Sequence, residues 1–296
     1  MSVKQPFAVS RSLNAGIQPL AKSSLEIREW VRPEDSFLGW QLAGHGEAYS
    51  NCGSFWTKGC LNVEAHKDAQ LDDPNFRGGK AYIKVLRRTC ARGECPVCYK
   101  TWASKEAHKI EYRLKEWRSR GRPIHLIVSP SKNDWFLNTG EMRTRAYLNA
   151  KRCGFLGGSC IFHAFRKDRL TKRWYFSPHF HMVGYGWIQH TLSNFEKNGW
   201  IVKNIGIRKS VHSTALYQLS HATIHSNRHT ITWFGRLSYN KLRVRLEEPE
   251  EDRCPICNSK LVSVRWLGKG ECPVPMDREG VYFVDPIDWW RWKWRT

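Results

Sequence analysis

The feature that most constrains the fold is a pair of long apolar segments in the middle of the chain. Residues 159–166 and 174–185 are rich in aromatic and aliphatic side chains, and the segment between them, 167–172, is polar. Two such runs joined by a polar connection are typical of paired antiparallel strands. The sequence therefore predicts a long β-hairpin.

Shorter segments around the hairpin predict the rest of one domain. Apolar runs of strand length lie at 124–128, 201–207 and 231–234. Helical patterns lie at 99–119, 141–153 and 213–224, the last with Ser213 or Thr214 available as its N-cap. This order of elements predicts an α+β fold, in which helices flank a central, mainly antiparallel five-stranded sheet.

The second strand of the hairpin carries His179 and His181, with Phe180 between them. Strand side chains alternate between faces, so both imidazoles should project from one face while Phe180 enters the core. Two nitrogens on one rigid face make half of a divalent-metal site. Two structural histidines, one of them exposed, would give the same pattern.

A third histidine lies on the first strand of the hairpin. If the hairpin turns near Leu170, His163 lies opposite residues 177–179 and completes a three-ligand site. A site with three protein ligands leaves positions open for water or a phosphate oxygen, as a catalytic metal requires. We therefore predict His163 as the third metal ligand.

Downstream, a predicted helix carries Tyr217 and His221, four residues apart and hence on one face. A tyrosine can attack a phosphodiester and hold the broken strand as a phosphotyrosine. Its phenol ionises only near pH 10 in isolation, so a polarised phosphate or a nearby base must assist it. The alternative is a core tyrosine with a satisfied hydroxyl.

Three segments in this order resemble the motifs of the HUH endonucleases. Residues 178–183, Pro-His-Phe-His-Met-Val, resemble the histidine motif; residues 128–131 resemble the first motif, and residues 216–221 resemble the third, which holds the nucleophile. The resemblance spans about residues 122–240. With its flanking cysteines and segment 233–238, the chain is most similar to rolling-circle replication initiators of archaeal plasmids and viruses.

This resemblance implies an HUH-type, RRM-like fold and a mechanism. Mg²⁺ or Mn²⁺ polarises the scissile phosphate of single-stranded DNA at a replication origin, and Tyr217 attacks to leave a 5′-phosphotyrosine and a free 3′-hydroxyl. Host replication proteins are the implied partners. Many relatives have a lysine where this chain has His221, which we assign a positioning or proton-handling role. Some carry a carboxylate in place of His163, and a single helical tyrosine leaves open how a second cleavage is made.

The ten cysteines of the chain favour metal sites, since a reducing cytosol disfavours disulfides. Cys95 and Cys98 form a zinc knuckle, to which Cys90 and Cys60 are assigned, with Cys52, His66 and His108 as alternatives. A second structural zinc site is predicted in the C-terminal region. Its ligands are expected to be Cys254, Cys257 and Cys272, with the fourth from His225, His229 or elsewhere. Cys153 and Cys160 are predicted to be core residues.

Charge indicates the kind of partner. Lys and Arg number 48 against 27 Asp and Glu, a formal net charge of +21 that favours a polyanion. The 15 tryptophans would suit single-stranded nucleic acid if exposed, but each could equally be core. The N-terminus lacks the apolar run of a signal peptide, and no stretch is long enough to span a membrane. We therefore expect a cytoplasmic protein with no membrane partner.

These patterns divide the chain into four parts. Residues 1–44 form a polar leader, 45–121 a zinc-binding region and helix, 122–245 the nuclease domain, and 246–296 a C-terminal part. That last part begins with an acidic linker and resembles a zinc ribbon followed by a basic aromatic tail, 289–295, which could be an interaction strip or core.

The rival functions are a single-strand transposase, a mobilisation relaxase and a non-catalytic, zinc-stabilised DNA-binding regulator. A relaxase usually carries its tyrosine ahead of the histidine motif, whereas Tyr217 follows His181 here. A regulator would leave the histidine pair and the helical tyrosine as coincidences.

Overall fold

The computed structural model describes residues 30–69, 79–117, 121–244, 251–278, 280–285, 288 and 291–294. Within them the chain is α+β, with helices packed against antiparallel sheets. The helices are α1 (Tyr99–Lys115), α2 (Thr139–Arg152), α3 (Thr191–Asn198) and α4 (Val211–Ser220). Across the described ranges, no helix has the length and apolar character needed to cross a bilayer.

The first sheet contains all five predicted strands. The strands of this sheet are β1 (Trp30–Val31), β5 (Ile124–Ser129), β6 (Phe155–Lys167), β7 (Trp174–Gly186), β8 (Ile201–Ile207) and β10 (Ile231–Gly235). The five predicted strands run in the order β10-β6-β7-β5-β8, every pair is antiparallel, and the short strand β1 pairs with β7. The hairpin predicted from the sequence is β6 and β7, the two longest strands. β1 falls in the predicted polar leader, of which residues 1–29 lie outside the described chain.

Alternation along β7 sorts the first sheet into two packed faces. Phe180 and Met182 are fully buried in the core under α2, whereas Val183 and Tyr185 pack against α1 and α4. A fully buried phenylalanine truncated to alanine costs roughly 3–5 kcal/mol, so the α2 side anchors the sheet strongly. The face under α1 and α4 is the one that carries the histidines.

The helices differ from the prediction at their ends. α4 begins at Val211 because the Ser210 hydroxyl caps it, accepting the Ser213 N–H at 3.0 Å, so the predicted caps Ser213 and Thr214 are wrong. It ends at Ser220 rather than 224, because Thr223 enters the short strand β9 and its hydroxyl bonds the backbone of β6. β9 (Thr223–Ile224) pairs with β2 (Gln41–Leu42). α3 was not predicted, and the end predicted for α1, 118–119, lies outside the described residues.

A second sheet joins the two ends of the chain. It has the order β12-β4-β3-β11-β13, also antiparallel throughout. β3 (Phe55–Gly59) and β4 (Ala81–Arg87) come from the N-terminal region, whereas β11 (Val262–Trp266), β12 (Gly280–Val284) and β13 (Trp292–Trp294) come from the C-terminal one.

The two regions that the sequence separates and predicts to bind zinc therefore share one hydrophobic core, in which Ile83 and Val264 are fully buried. Residues 246–250 of the expected acidic linker, and residues 289, 290 and 295 of the aromatic tail, lie outside the described chain. Trp292, within that tail, is part of the core.

Candidate active site and metal clusters

The histidines of the hairpin meet as predicted from its register. His163 on β6 pairs directly with His179 on β7. The ring centroid of His163 lies 5.2 Å from that of His179 and 4.4 Å from that of His181. The centroids of His179 and His181 lie 5.1 Å apart. Phe180 points into the opposite core. Three imidazoles thus share the face of the sheet that α1 and α4 cover.

The set whose nitrogens converge most closely differs from the predicted ligands. One nitrogen from each of His163, His181 and His221 lies within 4.8 Å of the others, a spacing that could hold one metal ion. His179 borders this trio, but its Nδ1 donates to the Ser177 carbonyl at 2.8 Å, which leaves only Nε2 free. The convergent trio therefore contains His221 in place of the predicted ligand His179.

His221 reaches the sheet because α4 stops before it. It is the C-cap residue of the helix, and its ring centroid lies 4.8 Å from that of His163. The sequence assigned His221 a supporting role, since the spacing from Tyr217 indicated only a shared helix face. The ring of His221 faces β6 because the helix ends at the residue before it.

The surroundings of His163 favour a bound ligand at the trio. Its side chain is completely buried, and neither ring nitrogen has a hydrogen-bond partner among the described residues. A buried polar group without a partner costs free energy, so such groups are rare unless an ion or water satisfies them. A metal ion bound by one of these nitrogens would remove part of this penalty, and the residues therefore fit the implied metal.

A fourth histidine orients the trio from behind. Nε2 of His125, on β5, lies 2.9 Å from Nδ1 of His181, and both rings are buried. If His181 donates this proton, its Nε2 keeps a lone pair for a metal ion, as an outer partner of a metal-binding histidine should ensure. His125 was not predicted, because one histidine in an apolar strand carries no spacing signal.

Burial keeps these rings neutral, as metal ligands must be. Burial, followed by the charges of neighbouring rings and Arg166, holds the pKa of His163 and of His181 well below the ordinary value. The same causes lower the pKa of His179 to about 3, and burial lowers that of His125 to about 4. Near neutral pH, all four can present lone pairs.

Arg166 places a positive charge beside the histidines. It follows His163 on β6, and its Nη2 donates to the Ser129 hydroxyl at 2.9 Å. Its Nε is buried with no partner among the described residues. Ser129 lies in the segment that resembles the first family motif, so the structure connects that segment to the site. A guanidinium held in this way suits an anionic ligand.

Tyr217 lies next to the trio and faces solvent. Its side chain is 67% exposed, and its ring centroid lies 4.6 Å from that of His221. Ala215 and Leu219, fully buried on the other side of α4, fix the helix against α1 and the sheet. The alternative of a core tyrosine is therefore wrong, and its phenol is accessible to a substrate.

The first cysteine cluster contains the predicted knuckle. Cys52, Cys90, Cys95 and Cys98 have sulfur atoms within 4.8 Å of one another, an arrangement that could hold zinc. Burial alone would raise the pKa of Cys98, but hydrogen bonds from the Thr89 hydroxyl and the Cys90 backbone bring it down to about 6. The fourth member of this cluster is Cys52, which the sequence left as an alternative to Cys60.

The second cluster joins the two ends of the chain. It comprises Cys60, His66, Cys254 and Cys257 and could also hold zinc. Cys254 Sγ lies 3.4 Å from Nε2 of His66, whose Nδ1 donates to the Lys80 carbonyl at 2.7 Å, so Nε2 is left for the metal.

Two cysteine assignments were therefore wrong. Cys60 belongs to the second cluster and not to the first, because β3 and β4 pair with the C-terminal strands. Cys272 lies in neither cluster and packs against the core of the second sheet. The histidine that lies in the cluster with Cys254 and Cys257 is His66, not His225 or His229. All ten cysteines are free, and Cys153 and Cys160 are buried as predicted.

Comparison of the chain with protein-family models, with curated proteins and with solved structures found no match in any of the three.

Proposed function

We propose that the protein is an HUH-type endonuclease that nicks and rejoins single-stranded DNA through Tyr217, and that it initiates rolling-circle replication at an origin. The observation that carries this proposal is the position of Tyr217. The ring centroid of its exposed phenol lies 4.6 Å from that of His221, the half-buried member of the trio with His163 and His181. A nucleophile on a packed helix and ligands on a rigid sheet are what a positioned phosphoryl transfer needs.

The proposed reaction replaces one phosphorus–oxygen bond of the DNA with a bond from phosphorus to Tyr217. The phenolic oxygen of Tyr217 bonds to the scissile phosphorus, and the bond from phosphorus to the 3′ oxygen breaks. The phenolic proton passes to solvent, to which Tyr217 is open, and the departing 3′ oxygen takes up a proton to become a hydroxyl. The 5′ phosphate remains on the protein as a phosphotyrosine, and attack by a 3′-hydroxyl reverses the step and rejoins the strand.

The remaining groups support that step electrostatically. A divalent cation on His163, His181 and His221, Mg²⁺ or Mn²⁺ in the family that the sequence resembles, would polarise a phosphate oxygen. Arg166 adds a fixed positive charge that attracts the phosphate. An all-imidazole ligand set favours a transition-metal ion over Mg²⁺. His179 borders the site, and its Nε2 is available to the phosphate or to the metal.

The antiparallel sheet with histidines on one face and the nucleophile on a helix above it also supports the HUH-type, RRM-like fold. We assign structural zinc to the two cysteine-containing clusters and expect the protein to act in the cytoplasm with host replication proteins. A single-strand transposase would use the same chemistry. A non-catalytic regulator is disfavoured by His163, because neither of its ring nitrogens has a hydrogen-bond partner in the described part of the chain and a cluster without a bound ligand would leave both unsatisfied.

The test is adduct formation on single-stranded DNA with Mg²⁺ or Mn²⁺. The wild type should give a covalent product in which Tyr217 carries the 5′ phosphate, seen by denaturing gel and mass spectrometry. Tyr217→Phe should give none. Tyr239→Phe is the matched control, since Tyr239 is 61% exposed and its ring stacks on Arg113 away from the trio. An adduct with Tyr217→Phe, a 3′-linked adduct, or none with the wild type would contradict the proposal.

A further inference from the structure

The second sheet has one face that is only half covered. Side chains at even positions of β3 and β4, including Trp56, Lys58 and Lys84, share the face opposite the core of the sheet, which we call the outer face. One half of it is covered by the segment 251–261 of the cysteine–histidine cluster. Asp252 in that segment bonds Lys58 at 2.6 Å and Lys84 at 2.7 Å, which neutralises much of their charge.

The other half, which we call the open half, carries a row of side chains across four strands. Trp56 pairs with Leu86, and Arg265 pairs with Lys293. β11 continues its pairing with β3 as far as Val264 and Thr57, so Arg265 is the next residue beside Trp56. An aromatic ring and two cations thus lie side by side on one flat surface.

A cavity adjoins this row. It has a volume of about 680 Å³, with Trp56 and Ser263 from the sheet on one side and the loops of the four-cysteine cluster on the other. Tyr49, 56% exposed, and Arg88 also line it, and none of its lining residues is acidic. The guanidinium of Arg92 lies 3.7 Å from the ring centroid of Tyr49 and orients it.

The cations of the open half have no acidic partners. Within the described residues, Arg88, Arg265 and Lys293 form no ion pair, and Arg265 and Lys293 are exposed. This contrasts with Lys58 and Lys84 on the same face. Cations without acidic partners attract a polyanion, and the aromatic rings beside them can stack on unpaired bases. In a double helix the bases are stacked on one another, so their faces are not available to Trp56 and Tyr49.

We propose that the open half binds a single strand of DNA, with bases on Trp56 and Tyr49 and phosphates on Arg88, Arg265 and Lys293. The choice of DNA rests on the proposed function, whereas the single-stranded polyanion follows from this surface. The two metal clusters hold the surface in shape, one covering half of the face and the other lining the cavity. The protein then holds its substrate at a second site, away from the bond that it cuts.

The test measures binding without cleavage. In a Tyr217→Phe background with no added Mg²⁺ or Mn²⁺, fluorescence anisotropy gives the affinity for labelled single-stranded DNA at several salt concentrations. Replacing Arg88, Arg265 and Lys293 together by glutamine should reduce the slope of log affinity against log salt by about 2, since each phosphate contact on a single strand contributes about 0.7. The matched control removes three exposed charges elsewhere, at Lys151, Arg152 and Lys197, and should leave the slope unchanged.

A separate experiment tests the contribution of base stacking on Trp56. Trp56→Leu should weaken binding on the order of 10-fold, whereas Trp56→Phe should retain most of the affinity, because base stacking needs only an aromatic ring. Zinc content and thermal unfolding verify that each variant keeps both clusters. An unchanged salt slope in the triple variant, equal binding by Trp56→Leu, or tighter binding of duplex DNA or RNA than of single-stranded DNA would overturn the proposal.

The two proposals fail in different ways. If the wild type binds through this surface but forms no adduct, the proposed nuclease is wrong and the binding surface stands. If adducts form normally and the triple variant binds like the wild type, the surface alone is wrong.

Discussion

Replacing His125 with leucine tests how the histidine trio is held. Nε2 of His125 lies 2.9 Å from Nδ1 of His181 between two buried rings. Because burial lowers the pKa of His125 to about 4, the ring is neutral near pH 7, and in the tautomer protonated at Nδ1 its Nε2 can accept the proton of His181. Leucine is of similar size but cannot accept the proton of His181. The variant would therefore leave a buried Nδ1–H unpaired and free His181 to adopt the tautomer that cannot bind metal at Nε2.

The expected magnitude follows from that single hydrogen bond. Removing the outer partner of a metal-binding histidine typically weakens metal affinity about 10- to 100-fold, or about 1.4–2.7 kcal/mol. We expect the Kd of the site for Mn²⁺ to rise by this factor in His125→Leu. His125→Gln, which keeps a carbonyl acceptor on a similar side chain, should recover most of the affinity.

The assay counts free Mn²⁺ by electron paramagnetic resonance during titration of each variant, with adduct formation measured at limiting and at saturating Mn²⁺. Saturating metal should restore adduct formation by His125→Leu to within a few-fold of the wild type. His45→Leu, at an exposed histidine, is the control. The reasoning is refuted if His125→Leu binds Mn²⁺ as the wild type does, or if a folded variant stays inactive at saturating metal.

Three further predictions concern the clusters, the core and acid. Cys254→Ser should lose one bound zinc ion and unfold at a lower temperature, whereas Cys272→Ser should keep its zinc; equal loss measured with a chromogenic chelator would contradict the assignment. Arg113→Lys should lower the free energy of unfolding in urea by about 2 kcal/mol, because one ammonium cannot replace the bonds to two carbonyls; an unchanged midpoint would refute this. Burial, then the charge of Arg166, lowers the pKa of His179 from 6.5 to about 3, so unfolding takes up a proton between these values. The contribution of neutral His179 to the free energy of unfolding is complete above about pH 6.5 and is lost as the pH falls toward 3. Between about pH 7 and 5, the urea midpoint should therefore fall less for His179→Gln than for the wild type.

Local patterns predicted most of the first sheet. The hairpin and the pairing of His163 with His179 followed from the length of two apolar runs and one polar connection. The zinc knuckle followed from the spacing of Cys95 and Cys98. Each of these depends on residues close in sequence, so side-chain alternation or turn geometry suffices to place them.

Other features depended on where distant segments meet. His125 reaches His181 only because β5 pairs with β7, and His221 reaches His163 only because Thr223 binds β6 and ends the helix before it. Neither contact leaves a periodic signal. The same holds for the approach of Cys60 to Cys257, which lies 197 residues away in sequence.

The sequence by itself determined which face of the hairpin carries the histidines, because side-chain periodicity is a local property of the backbone. The tertiary structure decided which of those groups meet. It placed His221 rather than His179 in the convergent trio, and it joined the N-terminal and C-terminal regions in one sheet with a shared cluster of cysteines and a histidine. Sheet order and the ends of helices control such contacts, and both are settled by packing among segments far apart along the chain.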